Sequence, residues 1–487
     1  MSVSRQKVNS VMALLGICFL NLYITLYYIH VHGTRIYTPS DIRTISIISV
    51  TELIIASIIW IKFAGEIFSP FYIMFVVIYV FCMGQTICWA FGFDMGEMDL
   101  QIYIPYLNKH YLGDGLLYTL NGVILFLVGA VVAYNDEGLN IKDIQTEKNI
   151  KDYIAIKNLS TVILIISVPC VCLNLWNVLP SVIMGGYSEL YTELNSYSKM
   201  GQFVPLIAGW FPIALLMKYA VDAEDKPQVS RRSAIILWIY VAINLYIGGR
   251  SGAVMMVLAF FITKQYLVKP IKRKKFLPLC IGGYAFIGLL NAIADIRLKS
   301  NRSVMDVLYA FITSFSSVLG DFIGELGWSM SSLVWTMDLT GNTFRKGTSY
   351  LFSFTAIIPN LGFWKEHPAT VYSNLGEWMQ KELGRTTGLG YTFVAETYIN
   401  FWWYGLIVMF LFGCIASRLL SGINKENAKY NIKITFVIIM FFTSVLKSFV
   451  RSSFSAIMRP MIFTVLVLTI GITLMQPKDR RRNYGGK

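Results

Sequence analysis

Charge is scarce in this chain: Asp, Glu, Lys and Arg make up 14% of its 487 residues, and only 28 residues are acidic. Histidine is rarer still, with four copies. No P-loop, Rossmann glycine fingerprint or nucleophile-elbow serine stands in a supporting context, which leaves ATP-driven and hydrolase-type readings weak. The seven cysteines all fall inside apolar runs and include no C-x-x-C pair. Neither a zinc centre nor a disulfide framework follows, and they read as small packing residues. His30 and His32 in IHVHG have a metal-like spacing without an acidic or cysteine partner nearby, so no metal site and no cofactor are expected. A cleavable signal peptide is also missing. Val8–Tyr28 is long and has no small-residue cleavage site, and it reads as a first membrane span.

What is abundant is apolar sequence, at 55% of residues. Runs of about 17–25 apolar residues recur from end to end, the length a helix needs to cross the hydrocarbon core. They are continuous rather than alternating, which selects helices over a barrel. The expected fold is all-α: a polytopic integral membrane protein of about twelve transmembrane helices, with one long external loop containing interfacial helices. The spans are placed at Val8–Ile29, Thr44–Ile61, Phe71–Phe91, Leu116–Tyr134, Leu159–Leu179, Phe203–Ala220, Ser233–Gly248, Gly252–Val268, Phe276–Ile293, Thr392–Phe412, Ile434–Lys447 and Pro460–Met475. This divides the chain into residues 1–293 (nine spans), 294–391 (the long loop) and 392–487 (three spans and a basic tail).

The net charge of +14 points away from nucleic acid, because the basic residues sit in short clusters between apolar runs. Such clusters are topology signals. Putting KPIKRKK and KDRRR inside makes both termini cytoplasmic and the long loop external. Within that loop, Val304–Leu319 and Tyr350–Phe363 are amphipathic or proline-interrupted and read as helices at the outer leaflet. Asn135–Asn158 and Val221–Arg232 read as ordinary polar loops.

Polar groups gather late in the chain. YIGGRSGAVMM (Tyr246–Met256) forms a tight hairpin whose glycines leave amides open beside Arg250, an arrangement suited to phosphate or to a snorkelling side chain. Arg297 and Arg302 follow the ninth span, as interface arginines or phosphate ligands. In KSFVRSSFSAIMRP, Lys447, Arg451 and Arg459 form a cationic stripe against the positive-inside trend, which invites an anionic ligand. The loop also carries His367, Glu377, Glu382 and Arg385. Glu396 lies in AETYINFWWYG with Asn400 one helical turn on and Tyr404 one more, so the spacing predicts a shared face. Two readings of Glu396 stand together: a structural pair with an arginine, or a general base or orienter of sugar hydroxyls. His367 and Glu377 are further candidate bases. Trp328, Trp364, Trp378, Trp402 and Trp403 read as an interfacial aromatic belt.

GGRSG at a hairpin between spans, a long late external loop, and GLGYTFVAETYINFWWYGLI opening the next span resemble the Wzy-type oligosaccharide repeat-unit polymerases, the O-antigen and capsule polymerases of bacteria. The resemblance covers the general plan of the whole chain. It implies a metal-independent glycosyltransferase of the bacterial inner or plasma membrane. The enzyme would move a growing glycan from undecaprenyl pyrophosphate onto a new lipid-linked repeat unit, working beside a flippase and a chain-length regulator. On that reading Arg250 and Arg451 bind the leaving pyrophosphate, with Arg302, Arg385 and Arg459 behind them and Arg297 and Asn400 also in the substrate site. Glu396 is the first candidate base, then His367 and Glu377. The surroundings of His367 depart from the loop-histidine motif of the related O-antigen ligases. A ligase, or a flippase for lipid-linked oligosaccharides, is the alternative.

Overall fold

A computed structural model describes residues 3–33, 36–65, 69–103, 109–134, 146–185, 203–247, 250–272, 274, 276–296, 303–313, 318–341, 343–358, 360, 363–385, 390–420 and 432–477. Among the described residues all regular structure is helical. Local chemistry sets many of the boundaries. Thr38 and Asp41 form a reciprocal capping box ahead of Pro39–Ala64, Pro39 fills the first turn, and Gly65 closes the helix in the left-handed region. Ser69, Pro70 and Gly92 repeat the pattern around Pro70–Phe91. Each device satisfies end groups that a helix cannot satisfy internally.

Nine helical stretches among the described residues are long and apolar enough to cross a membrane: Gln6–Val31, Pro39–Ala64, Pro70–Phe91, Tyr111–Ala133, Lys151–Pro180, Val204–Asp225, Ser251–Val268, Phe393–Leu420 and Ser455–Met475. Helices also cover the other three expected spans, as Pro227–Ile247, Phe276–Ile296 and the run from Ile432 to Arg451. Two expected loops are shorter than the sequence indicates. One helix runs from Thr146 to Gly185 through Pro169 and Pro180. Only Lys226 separates Phe211–Asp225 from Pro227–Ile247. Proline at the first helical position restarts a helix at once.

Glycines bring the central helices together. Gly405–Leu420 lies along Lys109–Ala133, where a Cβ on Gly129 would strike the Phe410 carbonyl and one on Gly413 would strike that of Phe126. This is small-residue packing of the kind membranes favour. The long late segment is partly built into the bundle. Val318–Gly327 packs along Pro70–Phe91, with Gly84 against Gly327 and Gln85 Nε2 donating to the Gly324 carbonyl at 3.2 Å. Ser331–Thr340 packs against both Lys109–Ala133 and Phe393–Phe401. Val304–Thr313 keeps the expected amphipathic form, residues 314–317 lie outside the described ones, and Leu319 stands in Val318–Gly327. Val304–Thr313 turns Met305, Tyr309 and Ile312 outward, each at least 70% exposed. Thr348–Ser353 and the tighter turn Phe354–Ile357 stand where a Tyr350–Phe363 helix was expected, with Leu351 and Phe354 exposed.

The expected tenth span, Thr392–Phe412, is not one straight helix. Phe393–Phe401 stops at Trp402, whose φ is +53°, and a short turn leads into Gly405–Leu420. A Cβ on Gly405 would collide with the Thr397 carbonyl, and the Phe393 and Phe412 rings lie 6.2 Å apart. The first helix therefore folds back along the second. Tyr404 leaves the face predicted for it and is 72% exposed.

Candidate functional site

Glu396 is completely buried, and both carboxylate oxygens are engaged. Ser349 Oγ donates to Oε1 at 2.7 Å, and the Phe454 N–H donates to Oε2 at 2.6 Å. Asn400, one turn along the same face as expected, donates from Nδ2 to Ser349 Oγ at 2.7 Å and to the Glu396 carbonyl at 2.8 Å. The Ser349 carbonyl accepts from Ser353 Oγ (2.6 Å) and Ser373 Oγ (2.7 Å), and the Ser373 carbonyl accepts from Ser455 Oγ at 3.1 Å. Four chain segments thus meet on one carboxylate and its serine neighbours. The structural reading of the sequence asked for an arginine partner. The partners are instead a hydroxyl and a main-chain amide, and Arg345 acts on Glu396 only electrostatically.

Arg345 is the principal site residue that the sequence reading passed over. Its N–H donates to the Ile399 carbonyl at 2.9 Å, and that of Lys346 donates to Asn400 at 3.0 Å, clipping this loop to the end of the Glu396 helix. The guanidinium donates from Nη1 to the Tyr372 carbonyl at 2.9 Å and stacks over Trp378, 5.0 Å from the ring centroid. Trp378 therefore supports a cation rather than standing in an aromatic belt. Burial pulls the Arg345 guanidinium below its ordinary range, with Tyr391, Glu396 and Glu382 pulling the other way. It stays cationic at every working pH. The available signal was R-K-G, two cations before a glycine that adopts φ +85°.

Arg451 meets the same region from the other side. Its carbonyl accepts the Tyr391 N–H at 3.1 Å, and its side chain passes Gly390 so closely that a Cβ there would lie 3.3 Å from Arg451 Cγ. Gly390 also has φ +72°, so the glycine-rich entry serves both the turn and the close approach. Arg451 is half-buried, and its guanidinium has no hydrogen-bonding or acidic partner among the described residues. Tyr391 is buried, its hydroxyl 2.9 Å from Thr336 Oγ1, and burial pushes that phenol above its ordinary range while the Arg345 charge pulls it back.

The other candidates stand apart from this centre. His367 has both ring nitrogens occupied: Nε2 donates to the Ile358 carbonyl at 2.8 Å, and Nδ1 accepts the Ala369 N–H at 3.2 Å. The carbonyl fixes the proton on Nε2, so the ring braces a loop. Glu377 accepts from Asn374 Nδ2 at 2.8 Å and pairs with Lys381 at 2.9 Å, all within one short helix. Arg385 is exposed, donates to Tyr103 Oη at 2.6 Å and lies over that ring. Arg459 donates from Nε to the Ala356 carbonyl at 3.0 Å. Arg297 and Arg302 lie outside the described residues, as do Gly248 and Gly249 of the GGRSG turn. Arg250 begins the helix Arg250–Thr263, and its side chain is likewise outside them. Of the sequence candidates, then, the described structure joins Glu396, Asn400 and Arg451, and it adds Arg345, Ser349 and Tyr391.

The family model described as O-antigen polysaccharide polymerase Wzy matches residues 12–478. No curated protein and no solved structure matches the chain.

Proposed function

The chain belongs to the O-antigen polysaccharide polymerase Wzy family, and we propose that it joins lipid-linked oligosaccharide repeat units with Arg345 and Arg451 as the anion-binding pair. The reading extends to a bundle of about twelve spans, with the site facing out of a bacterial inner or plasma membrane. The donor glycan is carried on undecaprenyl pyrophosphate, and a second lipid-linked unit supplies the acceptor. An acceptor hydroxyl bonds to the donor's anomeric carbon, the bond from that carbon to the pyrophosphate oxygen breaks, and the hydroxyl proton is released to solvent. Negative charge grows on the leaving group as the bond lengthens, so fixed cations lower the barrier most directly.

The observation that carries the reading is a pair of half-buried arginines linked through Tyr391, Arg345 by its charge and Arg451 by its main-chain carbonyl, with Arg451 lacking an acidic partner among the described residues. An uncompensated cation beside a bilayer is a ligand site by default. Glu396 is a positioning residue in this scheme: it ties the helix entry, the Arg345 loop and the corner after Arg451 into one unit. Arg250, Arg297 and Arg302 are carried as further contacts to the lipid pyrophosphate. A flippase and a chain-length regulator are the proposed partner proteins.

The test uses purified protein in liposomes with synthetic polyprenyl-pyrophosphate oligosaccharides and EDTA. A ladder of longer lipid-linked products supports a metal-independent polymerase. Movement of the lipid-linked sugar across the bilayer without a ladder would replace it with a flippase. Transfer onto a lipid A acceptor alone would replace it with a ligase.

A further inference from the structure

A second buried acid lies in the opposite part of the bundle. Glu52 stands midway along Pro39–Ala64, about 20 Å of helix from either end, and is 4% exposed. Asn21 of the first helix, fully buried, donates from Nδ2 to Glu52 Oε2 at 2.9 Å. Two acceptors on these same side chains, Glu52 Oε1 and Asn21 Oδ1, have no partner. A small cavity beside Glu52 is lined by Ser49, Phe75, Tyr79 and Leu120. The titratable groups facing the carboxyl are Cys18 from the first helix and Tyr79 from the third. The fourth helix presents only apolar side chains there, and no Lys, Arg or His among the described residues bears on Glu52.

An ionised carboxylate in the middle of a bilayer without a counter-charge is costly, and a buried acceptor left unbonded costs about 1–3 kcal/mol. One proton answers both problems. Placed on Oε1, it turns a pure acceptor into a donor for the unpartnered Asn21 carbonyl oxygen, on the amide whose N–H already reaches Oε2. We infer that Glu52 binds a proton in the folded protein and closes an acid–amide ring with Asn21, making a neutral intramembrane proton site that joins the first two helices. The neighbouring serine and tyrosine bond to each other at 2.5 Å and leave the ring to itself.

Infrared difference spectra of the full-length protein test this directly. Wild type minus E52Q at neutral pH should show a protonated carboxyl C=O band that belongs to Glu52. E52Q should keep the wild-type melting temperature within about 2 °C, because a glutamine amide closes the same ring. N21L should shift the band to higher frequency by removing its hydrogen bond and should lower the melting temperature. The inference is overturned if the wild-type spectrum assigns Glu52 as an ionised carboxylate. A sodium- or potassium-dependent rise in wild-type melting temperature, lost in N21L, would overturn it as well by putting a cation where the proton was placed. Should E52Q fail to fold, the N21L band shift decides alone.

Discussion

Glu396 shows what a carboxylate can and cannot do at a given address. With zero exposure and a donor already bound to each oxygen, it has no open face toward a substrate hydroxyl, which favours a positioning role. A positioning role predicts a split between two variants. E396Q keeps an acceptor for the Phe454 N–H and presents an N–H that the Ser349 hydroxyl can accept, and it should retain at least a tenth of wild-type polymerisation. E396A leaves the hydroxyl and the Phe454 amide unpaired at about 1–3 kcal/mol each and should lose activity together with thermal stability. Inactive E396Q of unchanged stability would restore the base assignment. For the arginines, R345A and R451A should each slow polymer formation about ten- to hundredfold, as expected for a lost charge-assisted contact. R345K should fare little better, since a lysine ammonium offers neither the planar stack on Trp378 nor the rigid fork of paired N–H donors that a guanidinium holds beside Tyr372. An acid inside an apolar run stands out in any sequence, which is why Glu396 and Asn400 were legible. Their partners were not, because Ser349 lies 47 residues and Phe454 58 residues from Glu396. Arg345 was hidden for the opposite reason: a cation in a loop looks ordinary until the structure puts it on a tryptophan.

At the scale of elements, apolar length and end chemistry carried most of the information. Most of the length of each expected span is helical, and the ends of the second and third helices are set by threonine, serine, proline and glycine devices that hydropathy alone does not register. The reversal at Trp402 escaped because its turn, W-W-Y, is built from residues that read equally well as membrane-interface aromatics. Its one signal was Gly405, and that glycine has a measurable role. A methyl group at 405 must displace the Thr397 carbonyl or the Tyr118 hydroxyl, so G405A should cost about 1–3 kcal/mol and open the hairpin that presents Glu396. G413A, which presses on Phe126 in the same helix pair, should destabilise similarly while sparing the hairpin. Melting temperatures with and without bound lipid pyrophosphate separate the two. Loss of ligand stabilisation in G405A but not in G413A is the expected pattern.

For the whole molecule the structure sorts loops into two sets without fixing which side is which. Asp152 takes Lys433 at 3.3 Å and Gln476, Lys157 pairs with Asp222 at 3.3 Å, and Lys7 donates to the Tyr134 carbonyl at 2.9 Å. These contacts gather the N-terminus, the segments near residues 134, 152, 225 and 433, and the C-terminal end of the last helix at one end of the bundle. They are the segments that charge counting assigns to the cytoplasm. At the other end Tyr37 donates to Asp114 at 2.9 Å between two early segments, and Arg385 reaches Tyr103 to join them to the late segment carrying Arg345. The basic balance of the first set supports the proposed orientation, with that end cytoplasmic, by the positive-inside rule. In intact cells, a membrane-impermeant thiol reagent should label K381C, whose native lysine is 74% exposed, and should reach K226C only after permeabilisation. Labelling of K226C in intact cells, with K381C protected, would invert the orientation and put Arg345 and Arg451 on the cytoplasmic side. There they would face nucleotide-linked precursors instead of flipped lipid-linked repeat units, and the polymerase reading would lose its substrate.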